Sequence, residues 1–169
     1  MTGTPSSTST EVRWATAEEL PGLAAVEDAA DGTFAPLGIV FPPGPAMIAG
    51  IDDPSRVLVA GEPPVGFALL GWVDGNVHLD QLAVHPDHER QGIGGRLVEA
   101  LCAHAAAVGA AAVTLTTFRD VPWNAPWYGR RGFAVLEEAE WGPEMAALVV
   151  HEREAGIELA PRVVMRRIL

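Results

Sequence analysis

The feature that most constrains how this sequence can fold is a glycine-rich turn between a strand pattern and a helix pattern. Apolar residues of strand type run up to Val84, and Gly92, Gly94 and Gly95 stand where the helical pattern begins. Glycine lacks a Cβ, so the backbone can come close to a ligand at such a turn. The first N–H groups of a helix have no intrahelical acceptor and carry the positive end of the helix dipole. Residues 82–96 therefore predict a strand–turn–helix unit that binds an anion.

Composition narrows the choice of anion and partner. The net charge is −11 over 169 residues, which disfavours a nucleic-acid partner, so an anion must be held by local groups such as Arg90 and Arg96. All 11 basic residues are arginines, which excludes a lysine Schiff base and a lysine-containing phosphate loop. A dinucleotide fingerprint needs a third glycine where Leu97 stands. A single cysteine, Cys102, excludes disulfide frameworks and thiolate metal clusters, and we predict no metal.

The hydrophobic periodicity predicts an α/β (α+β) fold with a mixed, mostly antiparallel central sheet of six to seven strands, flanked by helices. We expect one domain over residues 11–169, preceded by a flexible polar leader over residues 1–10. Asp74-Gly75 predicts a hairpin between two long strands. Residues 31–50 predict a loop with one helical turn near 45–49. Strands are predicted at 12–15, 57–60, 65–73, 77–84, 113–117, 133–136 and 163–168, and helices at 17–30, 93–108, 123–131 and 143–155.

No apolar run approaches the roughly 18 residues that cross a bilayer, so we expect no membrane partner and a cytoplasmic location.

The segment LAVHPDHERQGIGGRLVEAL resembles the acyl-CoA signature of the GNAT superfamily of N-acetyltransferases, Gln/Arg-x-x-Gly-x-Gly/Ala. Gly92 and Gly94 match its glycines, and Glu89 departs from the usual Gln or Arg. Residues 124–133 resemble the second cofactor motif of the family, with Asn, then Tyr, then Gly-Phe.

The resemblance covers residues 57–136 and implies a GNAT-like fold whose acetyl-CoA cleft lies between two splayed parallel strands. The pantetheine arm would pair with backbone groups near Leu82 and Val84, the pyrophosphate would bind N–H groups of residues 91–96, and Asn124 would bond the pantetheine. The residues that it implies for the cofactor are Leu82, Ala83, Val84, Glu89, Arg90, Gln91, Gly92, Ile93, Gly94, Gly95, Arg96, Asn124, Tyr128 and Arg131.

Candidate proton-transfer groups follow from the same segments. Tyr128 taken alone is better interpreted as a core aromatic between Trp127 and Phe133. The motif context favours instead a residue that protonates a leaving thiolate. His78 and Asp80 alternate onto one face of the predicted strand at 77–84, where His78 would serve as the base and Asp80 would orient it or hold a relay water. The alternative is a solvent-facing polar pair.

The acceptor site is the least determined part of the sequence. Glu27, Asp28, Asp31, Phe34 and Phe41 could supply carboxylates and aromatic faces for a cation, or form a solvated helix face. The helix at 143–155 could wall the acceptor site or form a homodimer contact. We expect an acetyl-CoA-dependent N-acetyltransferase acting on a primary amine of a small molecule by direct attack in a ternary complex. The alternatives are a non-catalytic acyl-CoA-binding or regulatory module, and a protein or peptide N-acetyltransferase.

Overall fold

The structure, a computed structural model, describes residues 11–169, so the predicted leader at 1–10 lies outside the described residues. Seven strands form one sheet in the order β1-β2-β3-β4-β5-β7-β6. The strands are β1 (Val12–Trp14), β2 (Val57–Ala60), β3 (Gly66–Val73), β4 (Asn76–Val84), β5 (Ala112–Phe118), β6 (Ala134–Val135) and β7 (Arg162–Ile168). The helices are α1 (Leu23–Asp31), α2 (Ile93–Ala107), α3 (Ala125–Gly129) and α4 (Pro143–Glu154). The predicted mixed sheet is confirmed, since only β4 and β5 pair in parallel.

The hairpin between β3 and β4 forms at the predicted position. Asp74 and Gly75 have φ angles of 49° and 77°, the pair of positive values that a two-residue hairpin turn of type I′ requires. Farther along, the register changes from Leu70 opposite Leu79 to Leu69 opposite Gln81, so Asp80 has no residue opposite it. This β-bulge re-aims the side chains of β4 at its middle.

β4 and β5 part soon after they meet. Their register contains two pairs, Val77 with Val113 and His78 with Thr114. Beyond these pairs β4 stays bonded to β3 on one edge, and β5 stays bonded to β7 along its whole length. The opposed edges of the two strands are therefore free to line a cleft, which confirms the expected splay.

Helices cover both faces of the sheet. α2 packs on one face through Leu97, Leu101 and Ala105. On the other face α1 packs over β2 and β3 through Leu23, and α4 packs near Val73 and β7 through Met145. The space between α1 and α4 on that second face lies directly over the parting strands.

The predicted helix at 17–30 is interrupted. Residues Ala17–Gly22 form a 3₁₀ helix that contains Pro21, and α1 begins only after it, because proline supplies no N–H for the α-helical ladder. The predicted turn near 45–49 is the 3₁₀ helix Met47–Gly50, but the structure adds a second one, Gly32–Leu37, that the sequence pattern did not indicate. Within residues 11–169, no helix combines the length and the apolar character needed to cross a bilayer.

Candidate functional site

The parting of β4 and β5 opens into a cavity of about 630 Å³, within the range of small-molecule sites. One side of it is lined by residues 79–82 of β4, residues 115–118 of β5, and Asn124 and Tyr128. The other side is lined by the end of α1 and the loop that follows, and by Glu152, Ala155 and Ile157 at the end of α4. The end of the helix predicted at 143–155 thus lines this cavity, and its assignment to an acceptor site or to a homodimer contact stays a prediction.

The glycine-rich turn presents free backbone donors. The first helical bond of α2 runs from the N–H of Arg96 to the carbonyl of Gly92, at 3.1 Å, so the N–H groups of Ile93, Gly94 and Gly95 have no intrahelical acceptor. Gly92 adopts a φ of 75°, a left-handed conformation that favours glycine. These three donors and the helix dipole suit an anion, and the binding of an anion at this turn stays a prediction.

Neighbouring side chains hold this turn in place. A Cβ built on Gly94 would lie 3.4 Å from the Trp127 ring, and one built on Gly95 would lie 3.4 Å from the Arg131 guanidinium. Arg131 stacks over the Trp127 ring, 3.6 Å from its centroid. The first turn of α2 is therefore packed against α3, and Arg131 adds positive charge beside it.

The remaining predicted cofactor residues differ in position. Arg96 donates to the carbonyl of Gln91 at 3.1 Å, which ties the exposed loop to the helix. Glu89 and Arg90 are exposed, and Arg90 has a φ of 61°. The Ala83 side chain packs into the core under α1, so Ala83 can offer only its backbone to the cleft.

The side-chain oxygen of Asn124 indicates which kind of ligand the cleft suits. Its Oδ1 atom is buried and has no hydrogen-bond partner within residues 11–169, although the residue lines the cavity. Buried polar atoms are rarely left unpaired, so a ligand N–H is the expected partner. The open edge of β4 from Leu82 to Val84 adds further backbone groups, and together these features fit a pantetheine arm.

Tyr128 belongs both to the core and to the cavity wall. It is 7% exposed and packs edge-on against Trp127 and Phe133, with centroid distances of 5.0 and 5.6 Å. Burial raises the pKa of Tyr128 above its ordinary value, so the hydroxyl keeps its proton at neutral pH. Tyr128 is therefore a core aromatic that also lines the cavity, and its role as an acid stays a prediction.

The structure separates His78 from Asp80. His78 is 2% exposed, its Nδ1 lies 2.7 Å from Thr114 Oγ1, and it is not part of the cavity lining. Burial lowers the pKa of His78 to about 4. Asp80 does line the cavity, where Arg56 Nη2 donates to its Oδ2 at 3.2 Å. Burial raises the pKa of Asp80 against the opposing effect of Arg56, which suits a proton acceptor better than the enclosed imidazole.

The predicted acceptor carboxylates have different surroundings. Glu27 is 2% exposed, and its two oxygens accept the N–H groups of Met47 at 2.5 Å and Ile48 at 3.2 Å, so it anchors the 3₁₀ helix Met47–Gly50. Asp28 is exposed at the cavity wall. Burial, together with the charges of Glu27 and Asp28, raises the pKa of Asp31 to about 6.

The predicted aromatic residues, Phe34 and Phe41, form a cluster with Phe118 and Trp123 beside the cavity. Phe34 packs against Phe41, Phe118 and Trp123 with centroid distances of 5.6, 5.6 and 5.5 Å. Phe34, Phe41 and Phe118 line the cavity, and they form an apolar wall beside the carboxylates.

Sequence reasoning missed a polar group on the floor of the cavity. Thr116 donates to Glu152 Oε1 at 2.5 Å, and Arg162 Nη2 donates to Thr116 Oγ1 at 3.1 Å. All three residues line the cavity. They come from β5, α4 and β7, and no local motif links them; the only sequence signal was the helix predicted at 143–155.

Comparison with known proteins places these features in a family. Residues 24–133 match the sequence model of the Acetyltransferase (GNAT) family. A mycothiol acetyltransferase from Parafrankia is 32% identical over 133 residues, which are 73% of this chain and 39% of that protein. The chain thus spans about two fifths of the length of this relative.

Solved structures share the fold. The N-acetylglutamate synthase of Neisseria gonorrhoeae, complexed with coenzyme A and N-acetyl-glutamate, matches with a TM-score of 0.69 at 20% identity, over 94% of this chain and 35% of that one. The PaiA N-acetyltransferase of Thermoplasma acidophilum, in complex with coenzyme A, matches with a TM-score of 0.64 at 17% identity, over 94% of this chain and 98% of that one.

Proposed function

Because this chain belongs to the acetyltransferase (GNAT) family, we propose that it moves the acetyl group of acetyl-CoA to a primary amine of a small molecule, by direct attack in a ternary complex. The observation that carries the proposal is one continuous cavity with two chemically different walls. Asn124, Tyr128 and Leu82 at the start of the open edge of β4 form a donor wall, and Asp31 and Glu152 stand on the acceptor wall. Both walls meet where β4 and β5 part.

The donor would be held mainly by the backbone. The free N–H groups of Ile93, Gly94 and Gly95 suit its pyrophosphate, and the edge of β4 from Leu82 to Val84 suits the pantetheine. Since these contacts are made by main-chain groups, the departure at Glu89 does not remove them. Acetyl-CoA supplies an acetyl group activated as a thioester.

The chain's own groups would manage the protons. Asp80 accepts a proton from the ammonium, directly or through a water, because burial raises the pKa of its carboxyl towards the working pH. The amine nitrogen then bonds to the acetyl carbon as the carbon–sulfur bond breaks. Tyr128 donates the proton of its O–H to the leaving sulfur, where negative charge develops. The new amide nitrogen releases its second proton, through water, to the Tyr128 phenolate and so restores the hydroxyl. His78 lies behind these groups and takes no proton in this scheme.

The shape of the cavity supports a small acceptor over a protein segment. A Cβ built on Gly156, in the turn after α4, would lie 3.5 Å from Pro42 Cγ, so the loop after α1 meets the turn after α4 over the acceptor wall. An extended peptide needs an open groove at this place. The mycothiol and N-acetyl-glutamate named for the similar proteins are likewise small molecules.

Release of free thiol from acetyl-CoA, measured against small amines, aminoglycosides, amino acids and short peptides, tests the proposal. We expect release with at least one small amine. Calorimetric binding of acetyl-CoA with no release for any acceptor would instead identify a non-catalytic acyl-CoA-binding module. Release with peptides alone would identify a peptide acetyltransferase and contradict the small-molecule assignment.

A further inference from the structure

Arg162 carries a positive charge into an acidic cavity. Within residues 11–169 it is the one basic side chain in the cavity lining, where it stands among five carboxylates. Its side chain is 16% exposed, and its guanidinium carbon lies 4.7 Å from the Phe118 ring centroid. This stacking fixes the plane of the guanidinium.

The hydrogen-bonding capacity of Arg162 is largely unused. A guanidinium has five N–H donors, and Arg162 makes one hydrogen bond to the described residues, from Nη2 to Thr116 Oγ1. Its Nε is buried without a hydrogen-bond partner in that part of the chain. The nearest carboxylate oxygen, Glu152 Oε2, is 3.7 Å from Nε, which is too far for a hydrogen bond.

Glu152 is directed elsewhere, since its Oε1 accepts the hydroxyl of Thr116. A buried donor without a partner is costly, and native proteins rarely retain one without a reason. The planar fork of a guanidinium matches the two oxygens of a carboxylate. A carboxylate of the acceptor would therefore complete the hydrogen bonds of Arg162.

The location of Arg162 relates this carboxylate to the reacting amine. His78 and Thr114 form the last pair of the ladder between β4 and β5. Asp80 and Thr116 each come two residues later, where the two strands part, and both line the cavity. Arg162 is bonded to Thr116 there, and Glu152 is bonded to the same hydroxyl.

We propose that the acceptor is a zwitterionic α-amino acid whose carboxylate binds Arg162 and whose ammonium is received by the carboxylates of Asp80 and Glu152. In such a ligand the carboxylate and the ammonium are attached to the same carbon atom. In the cavity, likewise, the guanidinium of Arg162 lies beside the carboxylate of Glu152. This inference rests on the proposed function, because it names the acceptor of that same reaction.

The test compares amino acids with amines that lack only the α-carboxylate. Thiol release is measured for phenylalanine against phenethylamine, leucine against isoamylamine, and lysine against cadaverine. We expect the parent protein to favour the amino acid of each pair. In Arg162→Gln, kcat/KM for the amino acids should fall about 10- to 100-fold, the loss of a charge-assisted pair of hydrogen bonds, while activity on the matched amines should persist.

Two controls separate recognition from folding. Arg119→Gln removes an exposed guanidinium that pairs with Asp120 outside the cavity, and it should keep the preference for amino acids. Arg162→Lys keeps the charge without the fork, and its loss should be intermediate. Titration with CoA shows whether each variant retains the folded donor site.

Three outcomes would overturn the inference. They are a parent preference for the amines without a carboxylate, a preference for the dication cadaverine over lysine, and an equal loss on both members of each pair in Arg162→Gln. Activity on amines in these cases leaves the proposed function standing. No thiol release with any amine, despite binding of CoA, would overturn the proposed function and this inference together.

Discussion

Replacing Gly92 by alanine tests whether the geometry of the glycine-rich turn creates the anion site. Gly92 has a φ of 75°, and a Cβ built on it meets no atom within 4 Å. The substitution therefore adds no clash, and its cost is the conformational penalty of an L-residue in the left-handed region. That penalty is about 1–2 kcal/mol.

The same penalty sets the expected effect on binding. The free N–H groups of the first turn of α2 point to one place only while residue 92 stays left-handed. In Gly92→Ala the free protein can relax out of this conformation, and binding must then restore it. A cost of about 1–2 kcal/mol weakens CoA binding by about 5- to 30-fold.

Gly109→Ala is the matched control, because Gly109 has a φ of 81° just beyond the other end of α2 and also has open space around it. Urea unfolding should show a loss of stability in Gly92→Ala no larger than that in Gly109→Ala, because relaxation of residue 92 in the free protein removes part of the strain. Calorimetric titration with CoA should show weaker binding in Gly92→Ala alone. Equal CoA affinity in the two variants would refute a role for the conformation of residue 92.

The other predictions concern single buried groups. Tyr128→Phe should bind acetyl-CoA normally and lose turnover by about 100-fold or more, and unchanged turnover would remove Tyr128 from the reaction. Burial lowers the pKa of His78 from 6.5 to about 4, so the folded protein favours the neutral imidazole. The contribution of this group to the free energy of unfolding is therefore fully present above pH 6.5, and about 3 kcal/mol of it is lost as the pH falls through 4. Urea unfolding over this range should show less pH dependence in His78→Gln, and parallel curves would contradict the assignment. Glu27→Gln replaces one accepting oxygen with an N–H₂ group against a backbone donor and should lower the free energy of unfolding by about 2–3 kcal/mol, whereas Asp28→Asn, at an exposed position, should change it little.

Much of the fold could be read from short segments. The hairpin at Asp74-Gly75 forms where predicted because both residues tolerate positive φ, and α2 begins at the predicted glycine turn because its apolar stripe has helical spacing. The interruption near Pro21 was missed although proline is itself a local signal for it. The 3₁₀ helix Gly32–Leu37 was missed because Phe34 within it packs against Phe118 and Trp123, which lie far away in the chain.

The bulge at Asp80 shows why alternation along a strand could not settle the catalytic groups. Simple alternation places His78 and Asp80 on one face, and it cannot show how deeply each side chain is buried. Depth depends on the neighbouring strand, which encloses His78 beside Thr114 and leaves Asp80 at the opening.

The sequence by itself determined the strand–turn–helix unit at 82–96, the second motif at 124–133 and thereby the family, because each depends on conformations and donors of a few consecutive residues. The tertiary structure alone decided which side chains share the cavity. Glu27 is held by Met47 and Ile48, and Arg162 meets Glu152 and Thr116, only after the sheet and α4 have packed. Contacts between residues distant in the chain leave no periodic or local signal, so the cavity and its lining appear only in the folded protein.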